Sequence, residues 1–344
     1  MEKPYKGVIM LSKPPIDKIA AKVFLERHQG APLPVVNFWD NPRCSLEQMS
    51  HWDKKDICPI DLGDDKYHDK RNPAGSATEY IAGFFGRELS SAEVKLIRML
   101  ADHNGHNDHG KGGYLKSFFM AIPWTLRELY ELDGYDHREV IDRAGHVVDA
   151  WLCVEDGDRG RDDGGMEKGF SDLLRLLKKC NFAPFTPERY LRDLWMLGCP
   201  AVEIRERVYW WIAAWKEVKA ALKEAEEEFK HMPNQYFEAG GLQGIAIKDA
   251  GKFVAKVASR HCDILLTVDP IGHVAIMTKK LDVSNLARRI EYLEPDRWHH
   301  EESQGFVING GVIYSGVSPT ELSIEELISF IQMYPPRHRG GRKF

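Results

Sequence analysis

The chain has 344 residues, of which 43% are hydrophobic and 29% are charged, and its formal net charge at pH 7 is -5. This is the composition of a soluble globular protein of about two domains, and the absence of a global basic field limits any nucleic-acid contact to a local patch. No apolar stretch approaches the length of a membrane span or a signal peptide, so we expect a cytoplasmic protein without a membrane partner. The six cysteines form no CxxC pair, which argues against a zinc ribbon and a disulfide framework.

Short apolar runs alternate with helical patterns in the N-terminal part of the chain. The apolar runs are GVIML, PLPVVNFW and DICPIDLG, and the helical patterns are IDKIAAKVFLERH and SATEYIAGFFG. Such alternation predicts a parallel sheet covered by helices. From Ser90 to Ala201 apolar residues recur three and four positions apart, which predicts a helical portion. The segment EDGDRGRDDGG within it, residues 155–165, is predicted to be a mobile loop that could act as a lid.

A long helix is predicted between Pro200 and Pro233, because no Pro or Gly interrupts the sequence between them. Beyond it, GLQGIAIKDA and DILLTVDPIGHVAIMTK are strand-like, with a tight DPIG turn, and KFVAKVASRH between them is predicted to be a helix. We therefore predict an α/β protein with a parallel-sheet domain over 1–195, a connecting helix within 196–235 and a smaller mixed-sheet domain over 236–344.

Four carboxylates are predicted to lie just past the carboxyl ends of strands, where a doubly wound sheet binds its ligands. They are Asp17, Asp61, Asp69 and Asp102, and His68 and His103 adjoin two of them. Mg²⁺ and Mn²⁺ prefer oxygen ligands with an occasional imidazole. Since the chain has 52 acidic residues, the spacing alone is compatible both with a metal site and with acids that lie on loops by chance.

The order of these segments resembles the DHH phosphoesterase superfamily. The resemblance is carried by the first strand with its Asp-containing loop and IAAKVFL, by IDLG, by YHDKR before a helix that opens with GSAT, and by a helix that ends in DHNG. It is nearest to the branch that contains the melanocyte-proliferating-gene exonucleases. The stretch from DILLTVDPIGHVAIMTKKLDVSNLARRI to WHHEESQGFVINGG is similar to the accessory DHHA1-type domain. The resemblance covers nearly the whole chain and implies a DHH-like domain, a connecting helix and a DHHA1-like substrate-binding domain.

The resemblance implies a metal-dependent phosphodiester hydrolase, either a nuclease or a nucleotide phosphodiesterase. The implied ligands of Mn²⁺ or Mg²⁺ are Asp17, Asp61, Asp69 and Asp102. The family's Asp-His-His triplet stands here as His68, Asp69 and Lys70, and Pro15 occupies the place of a ligand in the first motif. His68 or His103 is implied to bind the metal or transfer a proton, and Lys70 to hold the phosphate.

These departures leave two interpretations open. In one, the site is rebuilt around one metal ion, and Lys70 supplies the positive charge of a second. In the other, the protein has lost activity and serves as a module that binds nucleic acid, a nucleotide or a protein. A third, weaker alternative is zinc binding by His103, His106 and His109, which are more often surface histidines.

The second domain contains cations and an aromatic residue that suit a nucleotide or single-stranded nucleic acid, as phosphate contacts and a stacking platform. The predicted substrate-binding residues are Lys279, Lys280, Arg288, Trp298, His299, His300 and Gly305. Trp298 and the two histidines are expected in a loop, and a solvated basic helix with a half-buried Trp is the structural alternative. A homodimer is also compatible with the sequence.

Overall fold

A computed structural model describes residues 4–39, 45–60, 78, 81, 89–104, 126, 128–157, 175, 187–279, 281–301, 305–309 and 317–338. The chain divides into two compact units, Met1–Val218 and Lys219–Phe344. The division falls within the helix Ala201–His231, inside the segment 196–235 that the sequence analysis assigned to the connection. Within the described residues, no helix is both long enough and apolar enough to cross a bilayer.

The first unit contains short parallel strands and helices. In chain order the described elements are β1 (Gly7–Met10), α1 (Ile16–Gln29), β2 (Val35–Phe38), α2 (Leu46–Lys54), β3 (Ile57–Pro59), α3 (Ser91–Asn104), α4 (His137–Glu155), α5 (Pro187–Met196) and α6 (Ala201–His231), of which α6 continues into the second unit.

The described strands of this unit form a parallel sheet in the order β2-β1-β3. Val8 of β1 lies opposite Val35 on one side and Cys58 on the other. All four residues of β1 are buried, as expected for an apolar strand at the centre of a parallel sheet that is covered on both faces. The predicted parallel sheet is therefore confirmed.

Helix α1 follows the central strand and is buried along most of its length. It ends at Gly30, whose φ of 69° is the left-handed conformation that glycine adopts without strain at a helix end. It packs closely on α4, because a Cβ placed on Gly145 would lie 3.5 Å from a methyl carbon of Val23. This contact holds the middle of α1 against α4.

Arg27 connects the ends of three helices in the first unit. Its guanidinium lies 3.1 Å from Asp149 and 3.2 Å from Asp156 on the α4 side, and 3.9 Å from Glu93 at the start of α3. The Ala92 amide also donates to Asp156 at 3.3 Å. Burial lowers the pKa of Arg27, but the charges and hydrogen bonds of Cys153 and Asp149 outweigh this and raise the pKa above its ordinary value.

Arg27→Ala is expected to lower the free energy of unfolding by about 1–3 kcal/mol, because the ion pairs of Arg27 with Asp149 and Asp156 and its contact with the buried Glu93 would be lost. The control is Arg98→Ala, which removes an exposed arginine from α3 and should change stability by less than about 0.5 kcal/mol. Urea unfolding of both variants measures the difference. Equal stability of the two variants would show that the Arg27 cluster contributes nothing.

The second unit is built on a mixed sheet. Its described elements are β4 (Asn234–Ala239), β5 (Leu242–Lys248), α7 (Lys252–Ala258), β6 (Ile264–Val268), β7 (Val274–Thr278), α8 (Ser284–Leu293), β8 (Trp298–Glu301), β9 (Phe306–Asn309) and α9 (Ile324–Met333). The strand order is β4-β5-β6-β7-β9-β8, in which β5 and β6 are parallel and the other neighbours are antiparallel.

Apolar side chains cover both faces of this sheet. On one face Leu266 and Ile276 pack with Leu286 of α8 and Leu327 of α9. On the other face residues of β5 and β6 pack with α7 and with the C-terminal half of α6, including Phe229. The predicted mixed sheet is confirmed. The predicted DPIG turn is also confirmed, since the Gly272 amide donates to the carbonyl of Asp269 at 3.0 Å.

Some elements differ from the sequence predictions. Strand β4 and helices α2 and α5 were not predicted, and WHHE is strand β8 where a loop was expected. The predicted helix in SATEYIAGFFG lies mostly outside the described residues, as do parts of the predicted helical portion from Ser90 to Ala201 and most of the predicted lid at 155–165.

Candidate metal and phosphate site

The carboxyl ends of β1, β2 and β3 share one edge of the parallel sheet, because the three strands run in the same direction. From this edge the chain passes after β1 into α1. After β3 the buried Ile60 still follows the sheet, and its amide donates to the carbonyl of Ile9 at 2.8 Å. Asp61 is the next residue in the chain, and it lies outside the described residues.

Asp17 is the predicted metal ligand whose side chain the structure describes. It lies in the first turn of α1 and is only 6% exposed. The Pro15 carbonyl accepts the amides of Lys18 and Ile19, so the helix begins immediately before Asp17. A carboxylate in the first turn of a helix is stabilised by the helix dipole. Asp17 therefore provides a buried carboxyl group just beyond the carboxyl edge of the sheet.

Residues distant in sequence hold the loop between β1 and α1. The Thr78 hydroxyl donates to the Asp17 carbonyl at 2.7 Å, and the Tyr130 hydroxyl donates to the Pro14 carbonyl at 3.1 Å. The Lys13 ammonium lies 2.9 Å from Glu131. Burial raises the pKa of Tyr130, so its hydroxyl keeps the donated proton. These residues were not predicted, because they act through contacts with groups far away in the chain, for which the sequence has no periodic signal.

Asp102 and His103 lie on the last turn of α3, which ends at Asn104. At its other end, α3 begins beside the C-terminal ends of α1 and α4, as the contacts of Arg27 and Ala92 show. The structure describes the backbone of Asp102 and His103 but not their side chains.

The remaining predicted residues of the first-unit site lie outside the described residues. They are His68, Asp69 and Lys70, together with Asp61. Within the described part of the chain, no group of three His, Cys, Asp or Glu side chains could hold a metal ion. The side chains of three of the four predicted ligands fall outside that part, so the metal-ligand set stays a prediction. Asp17 fits it, because its buried carboxylate is the oxygen donor that Mg²⁺ and Mn²⁺ prefer.

In the second unit, the structure brings Gly305 beside the end of β7, where Lys279 follows. The Gly305 carbonyl accepts hydrogen bonds from the amide of Thr278 at 2.9 Å and from its hydroxyl at 2.7 Å. Lys279 is exposed. The exposed Lys279 therefore lies near a buried glycine whose carbonyl is already hydrogen-bonded, and the phosphate contact stays a prediction. Lys280 lies outside the described residues.

The prediction that Trp298 lies in a loop and stacks on a base is wrong. Trp298 lies on β8 and is only 9% exposed. Its indole N–H donates to the Glu294 carboxylate at 2.7 Å, and its ring packs in the core under the sheet. A ring held in this way cannot serve as a stacking platform for a base. Trp298 is a core residue in this structure.

The other predicted residues do not converge on one point. His299 and His300 are successive residues of β8, so their side chains point to opposite faces of the sheet. Arg288 is exposed on α8, where its Nε donates to the carbonyl of Ser284 at 3.2 Å. Arg288 and the two histidines stay predictions, whereas Lys279 and Gly305 are neighbours.

Gly305→Ala is expected to destabilise the second unit by about 2–4 kcal/mol. Gly305 has φ of 72°, and an added Cβ would lie 2.5 Å from the Thr278 hydroxyl and 2.9 Å from the Leu281 carbonyl. Gly241→Ala is the control, since Gly241 has φ of 82° but no atom within 4 Å of an added Cβ. It should cost only about 1 kcal/mol. If urea unfolding gives equal losses, the close approach at Gly305 has no energetic effect.

The described fold is thus an α/β protein of two units, with a three-stranded parallel sheet in one and a six-stranded mixed sheet in the other. No protein-family model matches this chain, and no curated protein matches it.

Among solved structures, the chain is similar to RecJ from Thermus thermophilus in complex with Mg²⁺, with 11% identity and a TM-score of 0.37. The match covers 97% of this chain and 51% of RecJ, so the chain spans about half the length of that protein. An exonuclease RecJ bound to manganese is 12% identical with a TM-score of 0.39, and the match covers 96% of this chain and 90% of that one. An uncharacterized protein from Helicobacter pylori G27 is 11% identical with a TM-score of 0.26, over 95% and 98% of the two chains.

Proposed function

We propose that the protein is a metal-dependent phosphodiester hydrolase that acts on a nucleotide or on single-stranded nucleic acid. The proposed ligands of Mn²⁺ or Mg²⁺ are Asp17, Asp61, Asp69 and Asp102. The observation that carries the proposal is the buried carboxylate of Asp17 at the carboxyl edge of the parallel sheet, the edge from which β3 leads directly to Asp61. Ligands in open α/β sheets bind at this edge.

The direction of α3 supports the inclusion of Asp102. The helix begins where α1 and α4 end, and its apolar residues Leu96 and Leu100 are buried. With 14 residues it is about 21 Å long, the same length as α1. Because α3 packs on α4, whose first residue His137 contacts Phe38 at the carboxyl end of β2, we infer that α3 runs back along α4 and that Asp102 lies at the same end of the unit as Asp17.

Each proposed residue has a distinct chemical role. A bound Mn²⁺ or Mg²⁺ supplies a more acidic water and neutralises charge on the phosphate. His68 or His103 binds the metal or accepts a proton, and Lys70 holds a phosphate oxygen through its ammonium group. In the second unit, Lys279, which lies beside Gly305, is proposed to contact a phosphate.

A hydrolysis assay tests this function directly. The purified protein is incubated with dinucleotides and with short labelled single strands of RNA and DNA, in Mn²⁺, in Mg²⁺ or in EDTA. We expect nucleotide products with at least one of the two metals and none in EDTA. Equal product formation in EDTA, or no product from any substrate, contradicts the proposed hydrolase.

One observation favours a binding module instead. Pro15 is the N-terminal cap of α1 and has no side-chain capping hydrogen bond, at the position where the resemblance implies a metal ligand. A proline side chain cannot coordinate a cation, so one ligand of the implied first motif is missing. Under this alternative the protein binds oligonucleotides without hydrolysing them in any divalent metal, which filter binding and the assay above distinguish.

A further inference from the structure

An exposed arginine lies beside β2 in the first unit and is not among the residues assigned to the site above. Arg138 is the second residue of α4, and its Nε donates to the carbonyl of Val35 in β2 at 3.1 Å. Its guanidinium also lies over the ring of Phe38, with 5.3 Å between the guanidinium carbon and the ring centroid. A hydrogen bond and a cation–π contact therefore hold this cation in place.

The guanidinium of Arg138 has donors that these contacts do not use. An arginine side chain has N–H groups on three nitrogen atoms, and the hydrogen bond to Val35 takes that of Nε. Within the described part of the chain, no carboxylate forms an ion pair with Arg138. The neighbouring acids are engaged elsewhere, because Asp136 caps α4 through the Arg138 amide at 2.9 Å and Glu139 lies 3.2 Å from Arg143. The N–H groups of both Nη atoms are thus available to an anion.

Phe38 places this cation near the edge of the sheet at which Asp17 lies. Phe38 is the last residue of β2 and lies opposite Met10, the last residue of β1, from which the chain continues to Asp17. Neighbouring strands in a sheet are about 4.8 Å apart. Arg138 therefore lies next to the carboxyl edge of the sheet, beside the strand that adjoins β1.

Aromatic rings connect Phe38 with the loop between β1 and α1. The His137 ring lies 6.2 Å from the Phe38 ring and 5.2 Å from the Tyr130 ring, edge to face in both cases. The Tyr130 hydroxyl in turn donates to the Pro14 carbonyl at 3.1 Å. Contacts between side chains thus run from Arg138 to the loop that precedes Asp17, and they fix the position of the cation relative to that loop.

We propose that Arg138 binds a phosphate of single-stranded nucleic acid other than the phosphate that is hydrolysed. A guanidinium that is held in one plane binds a phosphate through two parallel hydrogen bonds. Because Arg138 lies beside β2 and Asp17 follows β1, a ligand that reaches both needs more than one phosphate. The substrate is therefore an oligonucleotide rather than a mononucleotide. The place of the hydrolysed phosphate rests on the proposed function, whereas binding at Arg138 needs no metal.

Substitutions at Arg138 separate phosphate binding from a purely structural contact with β2. Arg138→Gln removes the charge and keeps an N–H donor that can reach the Val35 carbonyl. Arg138→Lys keeps the charge and removes the planar guanidinium. If Arg138 only protects the edge of β2, neither change affects the binding of a strand.

Fluorescence anisotropy of short labelled single strands of RNA and of DNA, titrated with the full chain in EDTA at several salt concentrations, tests the proposal. We expect Arg138→Gln to weaken binding about tenfold at about 50 mM salt. It should also reduce the slope of log K against log salt concentration by about 0.7, the value for one phosphate contact on a single strand. Arg138→Lys should keep the slope of the wild type. Arg98→Gln, at an exposed arginine of α3, is the matched control and should change neither quantity.

Circular dichroism of each variant checks that it is folded. Phe38→Leu is a second test, because it removes the ring under the guanidinium, keeps the charge and should weaken binding about threefold without a change of slope. Unchanged affinity of Arg138→Gln, or an equal loss in Arg98→Gln, overturns the proposal, as does absence of binding at up to about 1 mM strand. If Arg138→Gln does not fold, unchanged affinity of Phe38→Leu overturns it.

Two assays together distinguish this phosphate contact from the proposed hydrolysis. Binding that depends on Arg138, without any product in the hydrolysis assay, supports the contact and contradicts the hydrolase alone. Product formation with unchanged strand binding by Arg138→Gln overturns the contact and leaves the hydrolase. Tighter binding of RNA or of DNA supports the contact with that nucleic acid as its ligand, and equal binding supports a contact to the phosphate that both share.

Discussion

Asp61→Ala is expected to reduce phosphodiester hydrolysis at least about 100-fold and to remove Mn²⁺ binding, because this residue follows β3 at the carboxyl edge of the sheet and is proposed to bind the metal directly. Loss of an outer-shell partner alone costs roughly 10–100-fold in metal affinity or activity, so loss of a ligand should cost at least as much. Asp102→Ala should have the same effect. The measurement is the rate of product release from a labelled single strand at saturating Mn²⁺.

The control for this prediction is Glu224→Ala, which removes one negative charge from the exposed surface of α6 and should leave the rate unchanged. Asp17→Asn is a useful companion, since it keeps the shape of the buried side chain and removes its charge. If hydrolysis survives in both Asp61→Ala and Asp102→Ala, the assignment of the metal ligands is wrong.

Glu294→Ala is expected to lower the free energy of unfolding by about 3–5 kcal/mol. The buried Glu294 carboxylate accepts hydrogen bonds from the indole of Trp298 at 2.7 Å, the hydroxyl of Thr320 at 2.6 Å and the amide of Glu321 at 2.7 Å. Arg297 adds a charged contact at 3.4 Å. Removal of the carboxylate leaves several donors without their acceptor inside the second unit. Urea unfolding followed by circular dichroism measures the loss.

The same carboxylate predicts a pH dependence. Burial raises the pKa of Glu294, but the hydrogen bonds from Thr320, Glu321 and Trp298 outweigh it and hold the pKa below its ordinary value of 4.5. Because the folded pKa lies below the unfolded one, this stabilisation is fully present above pH 4.5 and is lost as the pH falls through the folded pKa.

In the Glu294→Ala variant this part of the acid sensitivity should disappear. Glu291→Ala, which removes an exposed carboxylate from α8 three residues before Glu294, should change stability by less than about 0.5 kcal/mol and keep the acid sensitivity of the wild type. A loss of similar size in the two variants would mean that the hydrogen bonds to Glu294 do not stabilise the fold.

Strong periodicity made much of the fold predictable. Helices α1, α3 and α4 have apolar residues three and four positions apart, and β1 and β6 are short apolar runs. Strand β4 was missed because it is an edge strand, with exposed Tyr236 and Glu238 among its residues, and so lacks a continuous apolar run. In β8 the polar residues of WHHE resemble a loop, although pairing with β9 makes them a strand.

The candidate site was predictable only in part. The sequence placed Asp17 just past the first strand, and the structure confirms that position. The burial of its side chain depends on tertiary packing, including the contact with Thr78, which lies 61 residues away in sequence. The burial of Trp298 also depends on tertiary packing. Its indole is hydrogen-bonded to Glu294 and its ring packs in the core beneath the sheet, and neither contact can be predicted from its neighbours in sequence.

The most direct test of the proposed metal site is the metal content of the wild-type protein purified without added metal, followed by titration of Mn²⁺ into the metal-free wild type and into Asp61→Ala. We expect about one equivalent of Mn²⁺ or Mg²⁺ per chain in the wild type, as a hydrolase with a single rebuilt metal site requires, and none in the variant. Absence of binding by the wild type, or undiminished binding by Asp61→Ala, would contradict a metal site at the carboxyl edge of the parallel sheet.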